Sequence, residues 1–174
     1  MSLFTLYYMG KKQDTIYALS TPHGKSAIAV IRVSGKEAFN YINKMSSSMP
    51  TTPNKSLLNK IITQDGKTID QTITTYYKAP KSFTGEDMVE VSCHGSVAVI
   101  KKISKEFIKK GLRIAEPGEF TRRALENNKL DLTKVEGLAD LINANTERQR
   151  ELAFTNFEGN LTNYLLNLSK KLNK

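Results

Sequence analysis

Between Ala27 and Val33 the chain reads AIAVIRV, a nearly unbroken apolar run with one charge, Arg32, near its end. Such a run predicts a strand covered on both faces. Further runs at Ile16 to Leu19, Leu57 to Thr63, Thr68 to Tyr77, Met88 to Cys93 and Leu112 to Ala115 predict other strands. Asp65-Gly66 joins two of them as a hairpin. Between strands the period lengthens. Ala38, Tyr41, Ile42 and Met45 mark one helical face, and Ile100, Ile103 and Phe107 another. Ser34 and Glu37 have capping-box spacing before the first helix, and Gly111 stands where a helix ends in a left-handed residue. Residues 46–55 and 78–85 are polar with prolines and read as loops.

The pattern changes from Glu116 onward. Pro117-Gly118 breaks the chain, and a short amphipathic helix follows. Phe120, Ala124 and Leu125 fall on one of its faces, Arg122 and Arg123 on the other, and Asn127-Asn128 stops it. Thr133 and Glu136 then form a capping-box pattern that starts a longer helix. Lys129 lies on the turn between, where a side chain can point away from both helices. A lysine so placed either touches a ligand or is simply solvated, and spacing leaves both readings open. Thr146 and Gln149 predict another helix start. Phe157, Leu161, Tyr164, Leu165, Leu168 and Leu172 then recur at helical spacing to the end of the chain. No glycine or proline is expected to stop this helix, so the pattern reads as cut. Its apolar stripe needs a partner from further chain or another subunit.

The 174 residues suit one domain with part of another, and 39% hydrophobic with 25% charged residues suits a globular core. Cys93 is the one cysteine, which excludes an internal disulfide and zinc-finger spacing and favours a reducing, cytoplasmic setting. The opening MSLFTLYYMGKK is too short in its apolar run to span a membrane and lacks signal-peptide features, so residues 1–13 read as a leader or cloning scar. A net charge of +9 favours an anionic partner such as nucleic acid. Against that, lysine pairs at 101–102, 109–110 and 170–171 fall on predicted helices, where they read as solvated faces.

Three features bear on chemistry. Gly24-Lys25-Ser26 looks like the end of a phosphate-binding loop, but the required earlier glycine is Leu19 and a strand follows instead of a helix. No other stretch supplies a nucleotide-binding loop. Cys93-His94 invites a thiol-nucleophile reading, yet neighbours on a strand point to opposite faces, so Cys93 reads as a small buried residue. Glu90 shares a strand face with Met88 and Ser92. A carboxylate in an apolar strand needs a partner. Either it pairs internally with Arg32, or both face a ligand; a carboxylate takes two hydrogen bonds from an amino-and-ring-NH edge such as a pterin offers.

The blocks DTIYALSTPHGKSAIAVIRVSG, SFTGEDMVEVSCHG and GLRIAEPGEFTRRALENNKLDLTKVEGLADLI resemble the N-terminal part of the tRNA modification GTPase family MnmE, also called TrmE. They come in the family's order and cover most of Asp14 to Ile142. The resemblance implies an α+β fold: a mixed-sheet folate-binding and dimerisation domain over residues 14–127, similar to that of aminomethyltransferases. The first α-helices of a helical domain would fill residues 128–174. It implies binding of 5-formyltetrahydrofolate or methylenetetrahydrofolate, with the family's folate contacts falling on Arg32, Glu90 and Lys129. It further implies a homodimer that acts with the flavin-dependent MnmG (GidA) subunit on carbon 5 of the wobble uridine of tRNA. The family's GTP, potassium and magnesium sites lie beyond Lys174, so this chain alone is not expected to hydrolyse GTP, and no catalytic or metal residue is assigned to it. The segment before Asp14 matches no family motif, and His23 and Lys25 sit where the family varies.

Overall fold

The computed structural model describes residues 14–172. The leader reading of residues 1–13 lies outside the described residues. The chain divides into two compact units, one ending at Phe120 and the other beginning at Thr121.

The first unit is built on a six-stranded sheet. Its strands are β1 (Ile16–Leu19), β2 (Ser26–Ser34), β3 (Ser56–Ile62), β4 (Thr68–Tyr77), β5 (Met88–Gly95) and β6 (Arg113–Ile114). They lie in the order β3-β4-β5-β2-β1-β6. Only β1 and β6 run parallel. Helices α1 (Ala38–Asn43) and α2 (Val97–Lys109) complete the unit, which is therefore a mixed-sheet α+β fold.

Alternation along the strands decides what is buried. Ala29, Ile31 and Val33 of β2 and Val89, Val91 and Cys93 of β5 join Ile42, Ile103 and Phe107 from the helices in one core. The Tyr17 ring meets Phe107 edge to face at 5.1 Å, and its hydroxyl lies 2.6 Å from Ser104 Oγ. The opposite sheet face carries no helix among the described residues of this unit. The expectation that β2 is covered on both faces is thus corrected: Ile28 is 63% exposed, and Val30 and Arg32 are half-buried. An apolar run does not distinguish a two-sided strand from a one-sided strand whose outer face is also aliphatic.

Two helix starts also differ from the pattern. Ser34 does not cap α1, whose N-cap Glu37 makes no side-chain cap bond. Ser34 is instead buried at the end of β2, where its hydroxyl meets Thr84 Oγ1 at 2.7 Å and donates to Glu86 Oε2 at 2.8 Å. The fold has put this hydroxyl to use in holding the loop before β5. Gly111 does close α2, with φ of 89°.

Glu106 of α2 is buried, with Lys109 Nζ at 2.8 Å and Lys102 Nζ at 3.6 Å. The Lys109 hydrogen bond, reinforced by the charges of both lysines, holds its carboxyl below the ordinary value of 4.5. Its contribution to stability is therefore present above that ordinary value and is lost as pH falls through the lower folded value. We expect thermal unfolding of Glu106→Gln to differ from wild type at pH 7 and to converge on it under acid, as read by circular dichroism.

In the second unit, α3 (Glu119–Glu126) leads across the boundary into α4 (Leu132–Asn143), α5 (Glu147–Phe157) and α6 (Asn160–Leu172). Ala124 is buried, as the spacing predicts, but Arg123 is buried as well and Leu125 is 38% exposed, so for these two residues the face assignment made from spacing is corrected. Asp131, not Thr133, caps α4: its carboxylate accepts from Lys134 N–H at 2.9 Å and from Thr133 Oγ1 at 2.6 Å. Asp131 wins because a carboxylate accepts both bonds at once. The helix start expected at Thr146 and Gln149 forms, and the two residues make a capping box there. The long terminal helix does not run unbroken, because Gly159 takes φ of 90° and separates α5 from α6. Tyr164 and Leu168 are exposed. The side chains of Leu161, Leu165 and Leu172 lie outside the described residues.

Candidate functional site

The β2–β5 register sets Arg32 directly opposite Glu90 on the uncovered sheet face. Arg32 Nε donates to Glu90 Oε1 at 2.6 Å. Tyr77, at the end of β4, donates its hydroxyl to Glu90 Oε2 at 3.2 Å. Burial, then the Glu90 charge, push the Tyr77 hydroxyl above its ordinary value. The Phe83 ring stands 5.9 Å from the Arg32 guanidinium.

Phe83 reaches that position because its loop is pinned on both sides. Thr84 is buried against Ser34, Ser82 Oγ donates to the Glu86 carbonyl at 2.5 Å, and Ala79 N–H donates to Asp87 Oδ1 at 2.8 Å. The result is a patch with a carboxylate, a guanidinium, a phenol and an aromatic ring. The internal ion pair considered from the sequence is formed. It is not sealed: the side chains of Arg32 and Glu90 are 37% and 20% exposed. Four cavities of the unit, of about 340 to 560 Å³, are lined by other residues. Glu90 spends one contact on Arg32 and one on Tyr77, while a carboxylate offers about four acceptor positions. Two acceptor positions remain.

Lys129 belongs to the second unit. Its backbone N–H donates to the Ala124 carbonyl at 2.8 Å, just after Asn128 turns the chain with φ of 55°. Its side chain is exposed. Arg32 and Glu90 are brought together, whereas Lys129 is placed by its own turn.

Sequence reasoning missed Tyr77 and Phe83. Tyr77 was within reach of the alternation rule, since it shares the outer face of the sheet with Glu90. Phe83 carried no signal, because a loop's path depends on the buried Ser34–Thr84 contact.

The other motifs resolve into structure. Cys93 is buried, and burial followed by the Asp70 charge pushes its thiol up to about 11. His94 points the other way, 71% exposed, with Nδ1 2.8 Å from Asp70 Oδ1. Alkylation of Cys93 by iodoacetamide at pH 8 is expected to be at least about 100-fold slower in the folded chain than in urea, as followed by mass spectrometry. Gly24-Lys25-Ser26 leads straight into β2, as the rejection of a phosphate loop required. Among the described residues no group of three or more His, Cys, Asp or Glu side chains is placed to hold a metal ion. No helix of the described residues is long and apolar enough to cross a membrane.

Residues 15–129 match the family described as GTP-binding protein TrmE N-terminus. The chain belongs to the TrmE family. Among its curated relatives, the tRNA modification GTPase MnmE of Dinoroseobacter shibae is 49% identical over 149 residues, covering 85% of this chain and 34% of that protein. The protein of the same name from Thermotoga petrophila is 42% identical over 159 residues, covering 91% and 35%. That from Aquifex aeolicus is 39% identical over 161 residues, covering 92% and 36%. The chain thus spans about a third of the length of these TrmE relatives and matches the family's N-terminal region. The matched segment contains Arg32 and Glu90 and ends on Lys129.

Proposed function

We propose that this TrmE N-terminal region binds a reduced folate, 5-formyltetrahydrofolate or methylenetetrahydrofolate, on the uncovered sheet face. The observation that carries the reading is the partly buried Glu90 with acceptor capacity to spare, fixed by Arg32 and Tyr77. A pterin presents an amino group beside a ring N–H, which a fixed carboxylate accepts in parallel. Phe83 offers an aromatic surface to the same ligand, and Arg32 a positive charge to its carbonyl or carboxylate groups. Lys129 is the third proposed contact, supported by the family resemblance and its exposed position on a pinned turn. Within a complete MnmE protein the folate would supply the one-carbon unit for modifying carbon 5 of the wobble uridine of tRNA. GTP hydrolysis with its potassium and magnesium, and the flavin-dependent MnmG partner, belong to that whole-protein reading, as does a cytoplasmic setting. So does the proposed likeness of this unit to the folate domain of aminomethyltransferases.

The same face supports homodimerisation. Ile28, Leu58 and Ile73 are 63%, 61% and 48% exposed, and Leu58 lies directly opposite Ile73 in the β3–β4 register. Aliphatic residues clustered on a sheet face without a covering layer mark a contact surface. A dimerisation module without ligand is the competing reading, and sedimentation velocity together with thermal unfolding, each with and without 5-formyltetrahydrofolate, separates the two. Folate binding predicts a dimer protected against thermal unfolding by the ligand. A stable dimer whose melting is unmoved by millimolar folate would leave assembly as the function.

A further inference from the structure

We propose that a groove between the β1–β2 loop (residues 20–25) and α2 docks an acidic amphipathic helix of a partner protein. The groove has a volume of about 560 Å³. Its apolar lining comes from Leu19, Val97, Ile100 and Ile108. Val97 and Ile108 are 43% and 54% exposed, although both belong to a helix whose other side already packs into the core. Lys101, Lys105 and Lys109 follow at four-residue intervals along the same helix and line the groove with them. This surface belongs to the helix layer, away from the folate patch, and the proposal does not rest on the folate reading.

Charge is what selects the occupant. Lys109 is engaged by Glu106, but Lys101 and Lys105 have no acidic partner among the described residues. No aspartate or glutamate lines the groove. Two unneutralised cations beside exposed aliphatic side chains favour a ligand that is apolar on one stripe and acidic along its flank. From Val97 to Ile108 the helix advances about 16 Å, three turns, which leaves room for a docked helix whose anchors at i, i+3 or i+4 and i+7 span about 10 Å. Lysines one turn apart match carboxylates one turn apart on a docked helix. Single-stranded RNA fits less well, since no aromatic side chain lines the groove to stack a base. A flat bilayer fits less well too, because His23 and Gly24 wall the apolar floor on one side.

The test uses the full 174-residue chain and a fluorescein-labelled amphipathic helical peptide. The peptide has leucines at i, i+4 and i+7 and glutamates flanking them; a scrambled peptide of the same composition is the control. Anisotropy at about 0.15 M ionic strength suppresses non-specific charge attraction. Saturable binding of the designed peptide is expected, weakened at least about tenfold by Lys101→Glu with Lys105→Glu, and by Ile108→Ser alone. Lys170→Glu with Lys171→Glu changes net charge equally and is expected to stay within about twofold of wild type. Circular dichroism checks that each variant remains folded. Equal binding of the scrambled peptide, or equal losses in the two double variants, would overturn the proposal. So would Lys101 and Lys105 controlling binding of polyuridine or of anionic phosphatidylserine vesicles while the peptide fails to bind.

Discussion

A Glu90→Gln chain is expected to lose about 100-fold in affinity for 5-formyltetrahydrofolate while keeping its fold. Two hydrogen bonds to a charged carboxylate contribute about 1.5–3 kcal/mol each, and every 1.4 kcal/mol is tenfold in affinity. Glutamine is close in size but presents one oxygen and one NH2 group, so it meets a paired donor edge with at least one donor facing another. The stability cost is expected to be small. Arg32 and Glu90 are 37% and 20% exposed, and a solvent-screened pair of this kind is worth about 0–1 kcal/mol. Affinity and stability therefore move independently. If the pair is purely structural, Glu90→Gln shifts the unfolding midpoint and leaves folate binding where it was. Tyr77→Phe separates the cases again: it removes one of the two contacts that fix Glu90 and leaves the carboxylate intact. A modest loss of affinity with unchanged stability is expected there.

The second large effect lies in the core. Phe107 is fully buried on α2, against Tyr17 and the helix-covered side of the sheet. Phe107→Ala is expected to destabilise the first unit by about 3–5 kcal/mol, from lost burial and the cavity left behind. Urea unfolding followed by tyrosine fluorescence would show the midpoint fall with the slope unchanged. Ile108, its neighbour in sequence, is 54% exposed, and Ile108→Ala is expected to change stability by no more than about 0.5 kcal/mol. Two adjacent apolar residues with so different an outcome would confirm which side of α2 faces the sheet.

Much of this was legible because alternation and helical spacing are local. The strand at Ala27 to Val33, the Asp65-Gly66 turn and the Gly111 helix stop followed from single residues and their neighbours. Arg32 and Glu90 stood out as charges within strands, and the β2–β5 register then placed them opposite each other. What the pattern missed depends on distant chain. Ser34 has the spacing of a cap, but burial next to Thr84, fifty residues on, gives it another role. Asp131 out-competes Thr133 because a carboxylate accepts from both Lys134 N–H and the threonine hydroxyl. Gly159 ends a helix whose apolar stripe continues beyond it, since the stripe reflects side chains and the break reflects backbone φ. Phe83 joins the candidate site through a loop whose course no local rule specifies.

The most direct test of the central claim is calorimetric titration of the 174-residue chain with 5-formyltetrahydrofolate, run in parallel on wild type and Glu90→Gln at matched protein concentration. Saturable heat in the wild type and its loss in the variant, with both proteins unfolding at similar temperatures, is the predicted result. Equal affinity in the two proteins, or no binding by a folded wild-type chain, would contradict it.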